Sequence, residues 1–344
     1  MILRRFVPIA VACGTVVLAP RAPLVVPLGA QQPMQFRAST SAVAVDVSVQ
    51  DGRRAVLGLT ADDFELLDDG VPQRIAAAAL EHVPLDVTLV VDTSGSLAGP
   101  AIAQFKRDIE TITGLLGADD RLRMVTFATR AAEAFGWRPG SDAPDVVQLP
   151  AGGATALYQA LAAVLLRRPD PGRRQLIVAM SDGVDNVSLL DAPDVLAIAK
   201  RADALMHIVL RNRATSSVSG SGVPFDMGQI LPQIPDRSSP PTSSFSPPIA
   251  SHRTWGWVPY QGEGQTSVLR DAAEVTGGRL RTVAPATSLA DAFKTALDEF
   301  RTSYVLWFTP EGVAPTGWHT LEVKVRQGRH DVRARTGYQA GGAK

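Results

Sequence analysis

The spacing of apolar residues changes along the chain, and each spacing predicts a different kind of element. Valines at every second position from Val43 to Val49 indicate a strand with one exposed face, which the turn pair Asp51-Gly52 ends. Two shorter stretches, 64–66 and 75–80, predict further strands. Residues 31–82 are therefore expected to form a small β module, too short to bury much apolar surface alone, that docks on the domain C-terminal to it.

From Leu85 onward, short apolar runs alternate with segments whose apolar residues recur every three or four positions. The runs predict buried strands at 85–91, 122–127, 175–180, 205–210 and 280–283. The segments with helical spacing predict helices at 102–116, 157–165, 194–202, 266–276 and 289–300. This order predicts an α/β fold over residues 83–310, with a doubly wound, mostly parallel sheet flanked by helices.

This alternation is interrupted once, and it ends before the C-terminus. Residues 212–264 are rich in Ser, Pro and Gly, a composition that buries too little surface to offset its ordering entropy, and we interpret them as an insertion. After a strand-like segment at 304–308, alternating residues at 319–325 and 331–335 predict a β-hairpin within residues 311–344. Small β segments are thus expected at both ends of the α/β domain.

The first thirty residues have the pattern of a secretory signal peptide. Two arginines, Arg4 and Arg5, precede an apolar stretch, and small residues up to Ala30 offer a cleavage site. We therefore expect residues 1–30 to direct the protein to the periplasm, the outer cell envelope or the medium of a bacterium. Membrane association is expected only if this segment stays uncleaved or if Cys13, the only cysteine, is lipidated.

The charge balance argues against a nucleic-acid partner. Lys plus Arg and Asp plus Glu are equal at 34 each, and no basic stripe stands out. A chain without a global positive field lacks the electrostatic basis for binding nucleic acid or an anionic membrane surface.

Oxygen-bearing side chains follow two of the predicted strands and precede one helix. Asp92, Ser94 and Ser96 follow the first buried strand, Asp182 follows the strand at 175–180, and Thr155 lies on a Gly-rich loop before a helix. The carboxyl ends of parallel strands open on one edge of a sheet, so these side chains are expected to converge. Carboxylate and hydroxyl oxygens suit Mg²⁺, Mn²⁺ or Ca²⁺.

The three motifs D-x-S-x-S, G-G-x-T and S-D-G resemble the metal-ion-dependent adhesion site of von Willebrand factor type A domains. The resemblance covers roughly residues 83–310, and residues 59–73 and 332–338 are similar to bacterial secreted proteins related to that family. It implies that Ser94, Ser96 and Thr155 contact a divalent cation, most often Mg²⁺, and that Asp92 and Asp182 hold it directly or through water. It also implies an open coordination position for an Asp or Glu carboxylate of a protein partner.

Three other interpretations compete with this one. Asp and Ser at a strand-to-helix junction also act as helix caps. A hydrolase or phosphoryl-transfer enzyme would need a second acid where Ser94 stands or a histidine base in these loops, and it has neither, so a non-enzymatic protein is expected. In the third interpretation the protein is an envelope scaffold and the metal only stabilises it.

Several neighbouring residues receive plainer roles. The insertion leaves the predicted sheet on the metal-site edge, so it could gate the site, but a flexible spacer is the simpler interpretation. Asp185 and Asn186 are expected to shape their loop, with support of the metal ligands as the lesser alternative. Tyr158 is expected to pack its helix, and His207 to be a hydrogen-bonded histidine of the core.

Overall fold

The computed structural model describes residues 42–80, 83–94, 100–140, 142, 152–211, 262–284 and 287–341. Every described residue belongs to one compact unit. The predicted signal peptide, Ser96 and residues 212–261 of the predicted insertion lie outside the described residues. In the described part of the chain, no helix is long and apolar enough to cross a membrane.

Strands and helices alternate through most of this unit. The strands are β1 (Val43–Asp51), β2 (Arg54–Ala55), β3 (Phe64–Asp68), β4 (Val71–Gln73), β5 (Ile75–Ala79), β6 (Leu85–Asp92), β7 (Arg121–Phe127), β8 (Ala131–Pro139), β9 (Arg174–Ser181), β10 (Leu205–Arg211), β11 (Leu280–Val283), β12 (Tyr304–Phe308), β13 (Gly317–Val325), β14 (Asp331–Ala334) and β15 (Gly337–Ala340). The helices are α1 (Pro100–Gly114), α2 (Leu157–Leu165), α3 (Ala192–Ala199), α4 (Gly262–Val275) and α5 (Leu289–Arg301), and a short 3-10 helix spans Ala61–Asp63.

The central sheet has six strands in the order β11-β10-β9-β6-β7-β8, and all neighbours are parallel except β7 and β8. The chain first builds outward from β6 on one side, then returns to β9 and builds outward on the other. The strand order therefore reverses between β6 and β9, which makes their carboxyl ends a switch point where α/β folds bind ligands. This confirms the predicted doubly wound, mostly parallel sheet.

Strand β8 is missing from the sequence prediction. It is an antiparallel edge strand with a shifted register against β7, and its first three residues are exposed. An edge strand is covered less completely than a central one, so its sequence need not show the clear alternation or apolar run by which strands are recognised.

Helices cover both faces of the central sheet. Helices α1 and α5 pack on one face, around Ile112, Phe293 and Leu89, whereas α2, α3 and α4 pack on the other, around Leu161 and Val90. Every residue of β6 is buried, as expected for a parallel strand enclosed between two helical layers.

The terminal β segments do not form a separate hairpin. β14 pairs with β1, while β13 pairs with β15 and β3, so the predicted pairing of 319–325 with 331–335 is wrong. β12 is not part of the central sheet, and it lies between β1 and β5. The reason is a shared core, in which Val47, Phe64, Leu66, Tyr304 and Leu306 are each no more than 1% exposed. Neither end of the chain is long enough to bury such a core alone.

His207, in the middle of β10, is buried as predicted, but it is not hydrogen-bonded. Neither ring nitrogen has a hydrogen-bond partner in the described part of the chain. The ring lines a small cavity beside Glu299 and Arg333. Burial, assisted by the positive charges of Arg281 and Arg279, lowers the pKa of His207 to about 3. The neutral imidazole is therefore the form that this core tolerates.

We expect His207 to make the folded protein acid-sensitive. Below a pH of about 6.5 the unfolded chain protonates this histidine, whereas the folded protein resists protonation until about pH 3. The free energy of unfolding should therefore fall as the pH drops through this window, by up to about 1.4 kcal/mol per pH unit from this residue. Urea denaturation of the wild type and of His207→Met, repeated between pH 7 and pH 4, measures the difference.

The variant should show a flatter dependence on pH, whatever its absolute stability. Ile208→Val, which changes the neighbouring buried residue of β10 without altering a titratable group, is the matched control and should keep the wild-type slope. Equal slopes for the wild type and His207→Met would contradict the prediction.

Candidate metal centre

Asp92 ends strand β6, and its carboxylate is fixed at both oxygens. Its Oδ1 accepts a hydrogen bond from the Ser94 backbone N–H at 2.9 Å, and its Oδ2 accepts one from the Ser181 hydroxyl at 2.7 Å. Asp92 and Ser94 are each only 2% exposed. The carboxylate is thus oriented before any ligand arrives.

No cation of the described residues compensates this carboxylate. Burial raises the pKa of Asp92, and the nearby charge of Asp182 adds to the rise, while hydrogen bonds from Ser94 and Ser181 oppose it. Within the described ranges, no Lys or Arg side chain forms an ion pair with Asp92. A buried carboxylate without a counter-charge is costly, and a divalent cation would remove that cost. The residues present therefore fit an ion.

The loop after β9 brings a second carboxylate to the same edge of the sheet. Asp182 is half-buried, and its Oδ1 accepts a 3.3 Å hydrogen bond from the Val184 N–H. The Ser181 hydroxyl, which donates to Asp92, also accepts from the Gly183 N–H at 3.1 Å. Ser181 therefore ties the loop after β6 to the loop after β9.

The Gly-rich loop before α2 supplies the third side. Gly152 donates a backbone hydrogen bond to the Thr93 carbonyl at 2.9 Å, and its φ of 113° is one that residues with a side chain rarely adopt. Gly153, with φ 90°, lies so close to Thr129 that a Cβ would come within 2.5 Å of the Thr129 hydroxyl. Thr155, which follows this loop directly, is 5% exposed.

Four of the five predicted ligands therefore sit on three interlinked loops at one edge of the sheet. They are Asp92, Ser94, Thr155 and Asp182, and the fifth, Ser96, lies outside the described residues. Two carboxylates with hydroxyls form a donor set that suits Mg²⁺ better than zinc or copper. Ion binding by these residues stays a prediction.

Residues not predicted as part of the site hold it together. The sequence shows Ser181 only as the first letter of S-D-G, yet its hydroxyl links two loops. Asp185 and Asn186, expected mainly to shape their own turn, hydrogen-bond to the segment that carries Thr155. Contacts between loops are set by the tertiary fold, and spacing along one segment does not reveal them.

A second group of ligand-type side chains lies in the terminal β segments, where Asp68, Asp69 and His319 come together. His319 Nδ1 is 2.9 Å from Asp68 Oδ1, and the Tyr338 hydroxyl donates to Asp68 Oδ2 at 2.7 Å. His319 Nε2 is buried without a hydrogen-bond partner in the described part of the chain, whereas a metal-bound histidine normally donates its second N–H. We interpret the group as a hydrogen-bond network that joins β3, β13 and β15.

Comparisons with known proteins found one family model that matches part of the chain, and solved structures of low similarity. Residues 86–210 match the family model of the von Willebrand factor type A domain. BatB from Bacteroides thetaiotaomicron, a solved structure, aligns with a TM-score of 0.39 at 16% identity, covering 63% of this chain and 98% of BatB. An aerotolerance-related membrane protein from Bacteroides fragilis aligns with a TM-score of 0.37 at 16% identity, covering 63% of this chain and 98% of that one.

A further solved structure, the SpRpn10 VWA domain, aligns with a TM-score of 0.37 at 13% identity, covering 62% of this chain and 94% of that domain. No curated protein matches the chain significantly. Because these TM-scores are low, the assignment rests on the match to the family model and on the strand order of the central sheet. The chain contains a von Willebrand factor type A domain, whose family model matches residues 86–210.

Proposed function

We propose that this protein is a divalent-cation-dependent protein-binding module. Von Willebrand factor type A domains are in general protein-interaction modules, and some depend on a metal. The observation that carries the proposal is the Asp92 carboxylate, which is 2% exposed, oriented at both oxygens and without a cationic partner in the described part of the chain.

The proposed roles follow from the chemistry of the predicted ligands. Asp92 and Asp182 supply the negative charge that attracts the ion, directly or through water, and Ser94, Ser96 and Thr155 supply uncharged oxygens. With three neutral donors out of five, a bound Mg²⁺ would retain affinity for one more anionic oxygen. An Asp or Glu carboxylate on a protein partner has the required chemistry. Mn²⁺ or Ca²⁺ could take the place of Mg²⁺.

A binding role is favoured over an enzymatic one by the positions of the histidines. His207 faces a cavity beside Glu299, and His319 pairs with Asp68 in the terminal β segments. Within the described residues, neither is placed to act as a base for a Ser94 nucleophile. The proposed location is the bacterial envelope or the medium, on the strength of the N-terminal segment.

We expect ion binding to stabilise the wild type and not Asp92→Asn. At a free ion concentration about 100 times the Kd, Mg²⁺ or Mn²⁺ should raise the free energy of unfolding by about 2.7 kcal/mol. Without ions, Asp92→Asn should be at least as stable as the wild type, because the amide is neutral and avoids burying an uncompensated charge. Thermal melts with the ion and with EDTA measure both effects.

Glu322→Gln, at an exposed position on β13, is the control and should respond to ions like the wild type. An equal ion-induced shift in Asp92→Asn would show that the ion binds elsewhere.

We also expect a protein partner to be retained only when the ion is present. Immobilised wild-type protein should capture the partner from native envelope extract in Mg²⁺ and release it in EDTA, and Asp92→Ala should fail to capture it. Changing acidic residues of the recovered partner one at a time to their amides should identify the carboxylate that binds. If ions stabilise the protein but no partner binds in an ion-dependent way, the scaffold interpretation gains support instead.

A further inference from the structure

The loop between β9 and α3 caps helix α2 from outside that helix. Ala156 stands at the N-cap of α2 and offers no side-chain acceptor for the first free N–H groups of the helix. Instead, Asp185 Oδ2 accepts from the Tyr158 N–H at 2.8 Å, and the Ser188 hydroxyl accepts from the Gln159 N–H at 3.1 Å. A carboxylate at a helix N-terminus is also favoured by the helix dipole.

The same loop forms two hydrogen bonds with the backbone of Thr155. The Thr155 N–H donates to Asn186 Oδ1 at 2.7 Å, and the Asn186 N–H donates to the Thr155 carbonyl at 3.0 Å. Two reciprocal bonds to a single residue leave its backbone little freedom to rotate.

The loop between β9 and α3 is also restrained by hydrogen bonds within it. Asp185 Oδ1 accepts from the Ser188 N–H at 3.1 Å, and Asp185 Oδ2 accepts from the Ser188 hydroxyl at 2.6 Å. Burial, with the negative charge of Asp185 next in effect, raises the pKa of Tyr158 to about 12. Asp185 therefore closes its own turn and caps α2 at the same time.

We propose that Asp185 and Asn186 are positioning residues for the metal centre. They fix the Thr155 hydroxyl relative to Asp182, which lies three residues before Asp185, so that the Gly-rich loop and the loop after β9 approach an ion as one unit. This inference rests on the proposed function, because the ligands that Asp185 and Asn186 position belong to the same proposed ion site. Removing a group that orients metal ligands typically weakens metal binding by about 10- to 100-fold.

Titration of the full chain with Mn²⁺, followed by electron paramagnetic resonance of the free ion, tests the proposal. Asp185→Ala and Asn186→Ala should each raise the Kd for Mn²⁺ by about 10- to 100-fold. Asn186→Ala is the more informative variant, because it removes the side-chain hydrogen bond to Thr155 without changing any charge.

Asp191→Ala is the matched control. Asp191 lies on the same loop and caps a helix through its Oδ1, which accepts from the Asp194 N–H at 3.0 Å, but that helix is α3. The control therefore loses one charge and one cap, as Asp185→Ala does, and should change the Kd by no more than about threefold, since an exposed charge contributes little.

Amide hydrogen exchange without any ion gives an independent measurement. The Thr155 amide should exchange slowly in the wild type and in Asp191→Ala, and at least about tenfold faster in Asn186→Ala, which lacks its acceptor. An unchanged exchange rate in Asn186→Ala would show that Asn186 does not restrain the Thr155 backbone, and the inference would fail.

The outcomes separate the two proposals. If Asp185→Ala and Asn186→Ala bind Mn²⁺ as tightly as the wild type, this inference fails and the proposed function stands. The same conclusion follows if Asp191→Ala weakens Mn²⁺ binding as much as these two variants do. If the wild type binds no Mn²⁺, the proposed function fails, and the positioning role fails with it.

Discussion

One strand carries two buried carboxylates that the fold treats in opposite ways. Asp86 near the start of β6 and Asp92 at its end are each 2% exposed. Asp86 pairs with Arg121 at 2.5 Å and also with Arg173, so its charge is compensated inside the protein. Asp92 receives only neutral donors from Ser94 and Ser181 in the described part of the chain. Burial without compensation is tolerated where a ligand completes the site, and the rest of the metal-site edge is arranged around this constraint.

The architecture decides which end of the sheet bears that uncompensated charge. Parallel strands place all their carboxyl ends on one edge, and the reversal of strand order between β6 and β9 opens a crevice there. Asp92 ends the first of these two adjacent strands and Asp182 directly follows the second, so both lie at the same edge as a consequence of topology. The ion pairs of Asp86 close the opposite edge, where no crevice forms from a strand switch. The compensated and the uncompensated buried carboxylate thus lie at opposite ends of the same strand.

Local patterns predicted the features that depend on local physics, and failed where distant segments decide. The buried strands and the D-x-S-x-S motif could be recognised because burial on both faces and ligand spacing leave marks within a few residues. The pairing of β1 with β12 and β14 could not, because more than about 250 residues of chain separate β1 from each of them. The contact of His319 with Asp68, 251 residues apart, was hidden for the same reason. His207 was recognised as buried, but the sequence did not show that its ring nitrogens lack hydrogen-bond partners. The cavity that the ring lines also contains Glu299 and Arg333, which belong to other elements.

The loops of the metal-site edge are held mainly by hydrogen bonds, and the helical layers are held by apolar packing. Ser181 links the loop of Asp92 to that of Asp182, Gly152 links the Gly-rich loop to Thr93, and Asn186 links Thr155 to the loop after β9. Each bond contributes only about 1 kcal/mol net, so no single one fixes the geometry. Because the three links close a ring around the edge, displacing one loop strains the bonds of the other two. A ring of weak, mutually dependent contacts can orient ligands closely and still adjust when an ion or a partner carboxylate enters, which a close-packed apolar core could not do without opening cavities.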